Sequence, residues 1–268
     1  MKKIDVLLVT GASGTVATLL RPMLASIANH IRLSDLTKSI NLQPYESFVS
    51  ADLSIMSDVE NVVAGVNGIL HLGGQATEAD FDTILQANII GVQHLFAAAQ
   101  LHGQPRIIFA SSNHVVGYYS AADVIDASAL PRPDSYYGVS KVFGETMAQM
   151  FFDKLGQETA IVRIGSCFPK PTDPRMLSTW FSASDFCRLI SVCFSVDKLG
   201  CPIIYGASNN PRTFWDNRLV EYLGWSPVES AEFYSNELGT NEAITAAETK
   251  GLMDYHGGLW VAAPLIEK

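Results

Sequence analysis

Asp5-Val6-Leu7-Leu8-Val9-Thr10-Gly11-Ala12-Ser13-Gly14-Thr15-Val16-Ala17 is the stretch that decides the fold. Asp5 to Thr10 is short and apolar with a β-branched bias, the pattern of a buried strand. Gly11-x-x-Gly14-x-x-Ala17 then opens a helix read as far as about Asn29. The first glycine permits a tight turn, the second lets backbone amides approach a phosphate, and the small third residue lets helix and strand pack closely. A lone glycine turn could be purely structural. Here a strand precedes it, a helix follows it, and Asp35 lies 24 positions beyond Gly11, so a dinucleotide pyrophosphate is the better reading.

Working outward, short apolar runs alternate with longer helical ones. Strands are predicted at Ile31–Ser34, Phe48–Ala51, Gly68–His71, Arg106–Ala110 and Thr159–Ile164. Helices are predicted over Phe81–His102, with Phe81, Leu85, Ile89, Val92 and Phe96 on one side, and over Tyr136–Gly156. This alternation specifies an α/β, doubly wound parallel sheet of the Rossmann type, in which ligands bind at the C-terminal ends of the strands. After Gly165 the pattern weakens. Pro169, Pro171 and Pro174 mark a loop, Thr179–Ser195 reads as helix, Pro202–Tyr205 as a short strand and Trp215–Leu223 as helix. One domain over 1–268 is expected, with 1–165 mainly binding cofactor and 166–268 forming a small interleaved substrate-capping region. The tail after Ser230 carries no assignable pattern.

With 268 residues, 48% hydrophobic and 17% charged, the chain can bury one large core. A net charge of −9 argues against nonspecific binding to nucleic acid or anionic membrane. Cys167, Cys187, Cys193 and Cys201 show no Cys-x-x-Cys pairing and no clustered histidines, so neither a metal nor a disulfide framework is expected. No apolar stretch reaches membrane-spanning length. The expectation is a cytoplasmic homo-oligomer acting on a small molecule.

The residues that carry chemistry follow the strands. Asp35 would accept hydrogen bonds from adenosine ribose hydroxyls and repel a 2′-phosphate, favouring NAD over NADP, although nearby Lys38 weakens that argument. Ser13, Thr15 and Val16 in the glycine turn, and Leu36 beside Asp35, belong to the same cofactor set. Asp52 and Leu53 could flank the adenine, and Asp52 could equally cap the next helix. Leu72-Gly73-Gly74 offers a flat backbone to the cofactor, and Ile164 ends the last strand beside it. Asn88, an amide among apolar residues, could brace the active-site backbone or bond a neighbouring loop.

Tyr137-Gly-Val-Ser-Lys141 places a phenol and an ammonium four residues apart on one helical face. An ammonium beside a phenol favours the phenolate, so Lys141 is expected to lower the Tyr137 pKa and suit it to take a proton from an alcohol. Ser112 could hydrogen-bond the reacting oxygen. Asn113 and His114 could reach a polyhydroxy substrate, with Gln75 and Ala76 beside them. Arg175 could bind a carboxylate through two charge-assisted bonds; Lys170, Arg188 and Arg212 are weaker candidates.

With the glycine turn, Asp35, Leu-Gly-Gly, Ser112, Tyr137 and Lys141 in this order, the first 165 or so residues resemble the extended, epimerase-like short-chain dehydrogenases/reductases. The chain also resembles a narrower group, the NAD-dependent uronate dehydrogenases. His71-Leu-Gly-Gly74, Phe109-Ala-Ser-Ser-Asn-His114 with Gly117-Tyr-Tyr119, and Tyr137-Gly-Val-Ser-Lys141 carry that likeness. So do Val162-Arg-Ile-Gly-Ser-Cys167, Arg175-Met-Leu-Ser-Thr-Trp-Phe181, and Gly200-Cys-Pro with Tyr205-Gly-Ala-Ser208. The resemblance implies oxidation of glucuronate or galacturonate at C1 to an aldarolactone, with Ser112, Tyr137 and Lys141 catalytic. It implies Asn113, His114, Ser166 and Arg175 as substrate contacts. Ala76 departs from the small hydroxyl residue expected there, so a sugar contact is lost or moved to a neighbour. The tail matches less clearly, and for Gly257-Gly258-Leu259-Trp260 a return toward the site is the expectation. Two rivals remain open at this stage: a nucleotide-sugar epimerase or dehydratase on the same fold, and a non-enzymatic NAD-sensing regulator.

Overall fold

A computed structural model of the chain describes residues 3–38, 41–238 and 253–266. The elements run β1 (Ile4–Thr10), α1 (Thr15–Leu24), β2 (Ala28–Asp35), β3 (Glu46–Ser50), α2 (Met56–Val63), β4 (Gly68–His71), α3 (Phe81–Ile84), a π-helical turn (Leu85–Ile90), α4 (Gly91–Leu101) and β5 (Arg106–Ser112). After a 3₁₀ turn (Asn113–Val116) come β6 (Ile125–Asp126), α5 (Tyr136–Leu155), β7 (Thr159–Ile164), α6 (Met176–Thr179), α7 (Ala183–Ser195), β8 (Ile203–Gly206) and β9 (Trp215–Asp216). Short 3₁₀ turns at Arg218–Leu223, Ala231–Tyr234 and Gly258–Ala262, with α8 (Ser235–Leu238), complete the described chain.

Seven strands form one sheet in the order β3-β2-β1-β4-β5-β7-β8, with every pairing parallel. β1 reads as continuously apolar because both of its faces are covered. Leu7 and Val9 pack with Leu20 and Leu24 of α1 and Leu189 and Ile190 of α7. Leu8 points the other way, into Val59 and Val62 of α2, Leu95 and Phe96 of α4 and Ala148 of α5. The strand order reverses between β1 and β4, which is where a doubly wound sheet opens its ligand crevice.

The sequence-based boundaries hold best for the buried strands: β4 and β7 run over the residues predicted for them. α1 stops earlier than Asn29. Pro22 donates no helical hydrogen bond, and Ala28 is drawn into β2 opposite Ile4. The predicted helix over Trp215–Leu223 is absent. Trp215 and Asp216 pair with Ile125 and Asp126 in a two-stranded ribbon, and only a 3₁₀ turn follows. Residues 239–252 of the unassigned tail lie outside the described residues.

α5 lies close against β5. A Cβ built on Gly144 would stand 2.2 Å from Cζ of Phe109, so the helix approaches only because position 144 has no side chain. Gly144→Ala should overpack this contact and cost about 1–3 kcal/mol, read as a lower urea midpoint with an unchanged m-value.

Candidate functional site

Two adjoining cavities open along the C-terminal edge of the sheet. The first, of about 420 Å³, lies over the β1–α1 turn. Gly11 has φ +66°, and a Cβ there would meet the Leu72 carbonyl oxygen at 2.7 Å, so the turn and the end of β4 touch backbone to backbone. Gly14 caps α1 without a side-chain bond, and the amides of the first turn, at Thr15, Val16 and Ala17, are therefore available to an anion. Asp35 accepts hydrogen bonds from the Ser13 amide (2.8 Å) and the Leu36 amide (2.8 Å), which holds its carboxylate at the rim. Leu36, 62% exposed, gives that rim an apolar face, and Leu53 packs under Gly73. Asp52 also lines the cavity, but its carboxylate is occupied by the Ser54 amide and hydroxyl in a local turn. These residues fit a dinucleotide with free amides for the pyrophosphate and a carboxylate for the ribose.

The second cavity, of about 430 Å³, shares Thr15, Val16, Leu72, Gly74, Gln75 and Ala76 with the first. Ser112, Asn113, His114, Tyr137, Lys141, Ile164, Ser166 and Arg175 also line it. Apart from Ser13, Asn88 and the weaker cationic candidates, the sequence candidates thus line one or both of two adjoining cavities. Asn88, within the π-helical turn, accepts from the Gln75 amide (2.7 Å) and donates to the Gln75 carbonyl (3.0 Å) and the Ser140 hydroxyl (2.9 Å). It therefore ties the Gly74-Gln75 loop to α5 and touches neither cavity.

Local chemistry aims each side chain. Ser135 caps α5 by accepting from the Gly138 amide (2.9 Å). The two oxygens of Glu78 accept from the Tyr136 and Tyr137 amides (3.1 and 2.8 Å). An anion at a helix N-terminus is stabilising, and this one fixes the turn that carries Tyr137. His114 pairs with buried Asp134 through Nδ1 (2.8 Å). Trp260 stacks on His114 (centroids 4.0 Å apart) and sets its edge against Tyr137 (5.7 Å). Ser166 shares its hydroxyl with Thr179 (2.9 Å). Ala76 presents only a methyl, while neighbouring Thr77 accepts from Gln75 Nε2 (2.9 Å).

The expected lowering of the Tyr137 pKa is not what the site produces. Burial pushes the phenol up to about 12, against a partial offset from a hydrogen bond with Ser112 and with Asp134 adding to the rise. Burial likewise pushes the Lys141 ammonium down to about 8. Nζ of Lys141 lies 5.4 Å from the centre of the Tyr137 ring and 5.3 Å from that of Phe109, so desolvation outweighs the attraction the spacing suggested.

Arg175 differs from most arginines of the chain. Arg21, Arg106, Arg163, Arg188, Arg212 and Arg218 each pair with a carboxylate. Arg175 forms no ion pair among the described residues. Its Nη2 donates to the main-chain carbonyl of His256, and its Nε is buried with no partner. Of the weaker cationic candidates, Lys170 pairs with Glu237, Arg188 with Asp185 and Arg212 with Glu232, and none lines the second cavity. Glu78, Asp134 and His256 carry no signal in the sequence that marks them as site residues. The return of Gly257–Trp260 toward the site, expected from the resemblance, is seen: Trp260 lines the second cavity.

His71 and His256 are fully buried and held neutral. Burial brings the first down to about 3, helped by Lys141, and the second to about 4, with Arg175 adding to the effect and the Asp123 carbonyl opposing it. Their unfolded counterparts titrate near 6.5, so between that value and 4 the unfolded chain binds more protons than the folded one. The stability they contribute is complete above about pH 6.5 and is lost as pH falls through the folded values. The thermal midpoint should therefore decline steadily from pH 7 to pH 5, and a flat profile across that window would contradict the burial of neutral imidazoles.

The chain is similar to known proteins along most of its length. Residues 7–183 match the model of the NAD dependent epimerase/dehydratase family. The chain is 47% identical to a uronate dehydrogenase of Agrobacterium fabrum over 98% of both chains. It is 43% identical to one of Pseudomonas putida over 96% of both. A crystal structure of a uronate dehydrogenase mutant from Agrobacterium tumefaciens complexed with NAD superposes with a TM-score of 0.95 at 46% identity, covering 98% of this chain and 99% of that one.

Proposed function

From the premise that the chain belongs to the uronate dehydrogenases of the NAD-dependent epimerase/dehydratase family, we propose that it oxidises the C1 hemiacetal of a hexuronate, glucuronate or galacturonate, to an aldarolactone with NAD. The observation that carries the reading is Arg175, a cation that lines the second cavity, has no ion pair among the described residues and keeps a buried Nε without a partner. A buried donor left without a partner costs roughly 1–3 kcal/mol, and a carboxylate supplied by the substrate removes that cost. Neither a neutral aldose nor a non-enzymatic regulator gives this arrangement a use. Identity across nearly the whole chain with uronate dehydrogenases disfavours the nucleotide-sugar epimerase or dehydratase.

In the proposed roles, Thr15 and Val16 hold the pyrophosphate and Asp35 the adenosine ribose, with Gly11, Ser13 and Gly14 shaping the turn. Leu36, Asp52 and Leu53 border the adenine end. Leu72, Gly73, Gly74 and Ile164 flank the path to the reacting end, and Asn88 braces it. When bound, NAD supplies the hydride acceptor. As the phenolate, which positive charge from Lys141 and bound NAD would favour against the burial that raises its pKa, Tyr137 accepts the C1 hydroxyl proton while Ser112 hydrogen-bonds the same oxygen. Arg175 holds the substrate carboxylate, and Asn113, His114, Ser166 and Gln75 orient the ring, with Ala76 leaving room instead of a contact. Residues 166–268 mainly cap the substrate. We also propose that the enzyme is a cytoplasmic homo-oligomer. Exposed Val139 and Met150, close to one face of α5, support the oligomer. Among the described residues, no helix is long and apolar enough to cross a membrane.

Purified protein with NAD should form NADH rapidly with glucuronate or galacturonate and slowly with glucose or galactose, followed by absorbance. No NADH with either uronate would reject the reaction. Tyr137→Phe should abolish turnover, leaving the Kd for NAD within a few-fold of the parent. Unchanged turnover in that variant would remove Tyr137 from its role. Arg175→Ala should raise KM for the uronate by about 10- to 100-fold, the loss of one charge-assisted pair.

A further inference from the structure

The carbonyl that holds Arg175 comes from a segment remote in sequence, and His256 anchors that segment. The His256 ring is fixed on several sides. Nδ1 accepts from Trp215 Nε1 (3.2 Å), Nε2 donates to the Asp123 carbonyl (3.1 Å), and the ring stacks on Phe214 with centroids 4.0 Å apart. Its own amide donates to the Tyr119 carbonyl (2.9 Å). The next residue is pinned as well: the Gly257 amide donates to the Gly117 carbonyl (2.9 Å). A Cβ at either glycine would stand 1.9 Å from the Asp134 carboxylate, so the segment seats only over a glycine pair. With the ring locked behind, the His256 carbonyl accepts from both Arg175 Nη2 and Asn113 Nδ2 (the latter at 3.2 Å), two side chains that line the second cavity.

We propose that His256 is the positioning residue of the carboxylate subsite, setting the enzyme's preference for a sugar acid over a neutral sugar by aiming the Arg175 guanidinium. Two carboxylates, Asp173 and Asp134, lie near enough to Arg175 to act on its charge. Released from the carbonyl, the guanidinium would turn toward one of them, and an internal ion pair would compete with the substrate. A neutral carbonyl acceptor holds the head group in place without neutralising it. The same oxygen holds Asn113, so a sugar contact and the carboxylate contact are set in one register. This inference rests on the uronate reading and adds a residue that does not itself touch the substrate.

The test measures kcat and KM for galacturonate, KM for NAD and kcat/KM for galactose in the parent, His256→Ala, His256→Asn and Trp215→Phe. His256→Ala should raise the galacturonate KM about tenfold or more. KM for NAD should stay within about twofold, and kcat/KM for galactose, which loses only the Asn113 contact, should fall by no more than about threefold, so the acid-over-neutral preference falls several-fold. His256→Asn, whose Oδ1 can accept from Trp215 in place of Nδ1, should recover part of the loss. Trp215→Phe keeps the ring but not the donor, and should shift the preference the same way by less. An unchanged preference in folded His256→Ala would overturn the proposal, and so would equal losses on galacturonate, galactose and NAD, which mark a structural role alone. If His256→Ala does not fold, Trp215→Phe decides, and parental preference there overturns it. A parent enzyme that oxidises neither sugar, or both equally well, would instead sink the underlying uronate reading.

Discussion

The contact on which the rest depends is the backbone-to-backbone approach of Gly11 to Leu72 and Gly73. It closes the gap between β1 and β4 at the point where the strand order reverses, with Thr10 reinforcing it. The Thr10 hydroxyl accepts from the Gly73 amide (3.1 Å) and bonds His71 Nδ1 (2.8 Å). No side chain fits at Gly11, whose φ is positive and whose missing Cβ would overlap main-chain atoms. With β1 and β4 locked in parallel register, the free amides of α1, the Gly73-Gly74 backbone and the ends of β5 and β7 all open to one side. The two cavities follow from that single closure.

Beneath the reacting residues lies a second constraint. Arg163 and Glu145 form a buried, two-pronged ion pair (2.9 and 2.8 Å), and Glu145 also accepts from Ser111 (2.6 Å). Arg163 continues to the Tyr205 hydroxyl (3.0 Å), and Tyr205 stacks on Trp215, which holds His256. A buried pair of this kind adds little net stability but is costly to break, because either charge left alone would be stranded. Its consequence here is rigidity. It ties α5 to β5 and β7 and runs by touching side chains to the segment that holds Arg175.

Much of this was legible in the sequence because it is local. A buried parallel strand is a continuous apolar run, and β4 and β7 were read to their ends. The glycine turn, Asp35 and the Tyr137-Lys141 pair keep fixed short spacings, which the sequence displays directly. What was not legible depends on return of the chain. Glu78 caps a helix that begins 58 residues later, a relation that leaves no periodic trace. Trp215–Leu223 has the apolar spacing of a helix through Val220 and Leu223, yet pairing with Ile125 and Asp126 takes its first two residues into a strand. For Tyr137, spacing reveals the neighbouring charge but not the burial that opposes it and raises the pKa.

That burial explains why acid recognition and proton transfer belong to one design. The chain carries a net charge of −9, which repels an anionic sugar at long range, though salt screens such repulsion within about 10 Å. Inside the cavity screening is weak and unit charges interact strongly. A substrate carboxylate left un-neutralised there would push the Tyr137 phenol, already at about 12, further from ionisation, and so oppose the proton transfer that oxidation needs. On the proposed roles, Arg175 answers both problems. It supplies the attraction the surface lacks, and it cancels the substrate's charge before that charge is felt at the phenol. An arginine already paired with Asp173 or Asp134 could do neither, which is why a neutral carbonyl, and not a carboxylate, is the suitable partner to hold it.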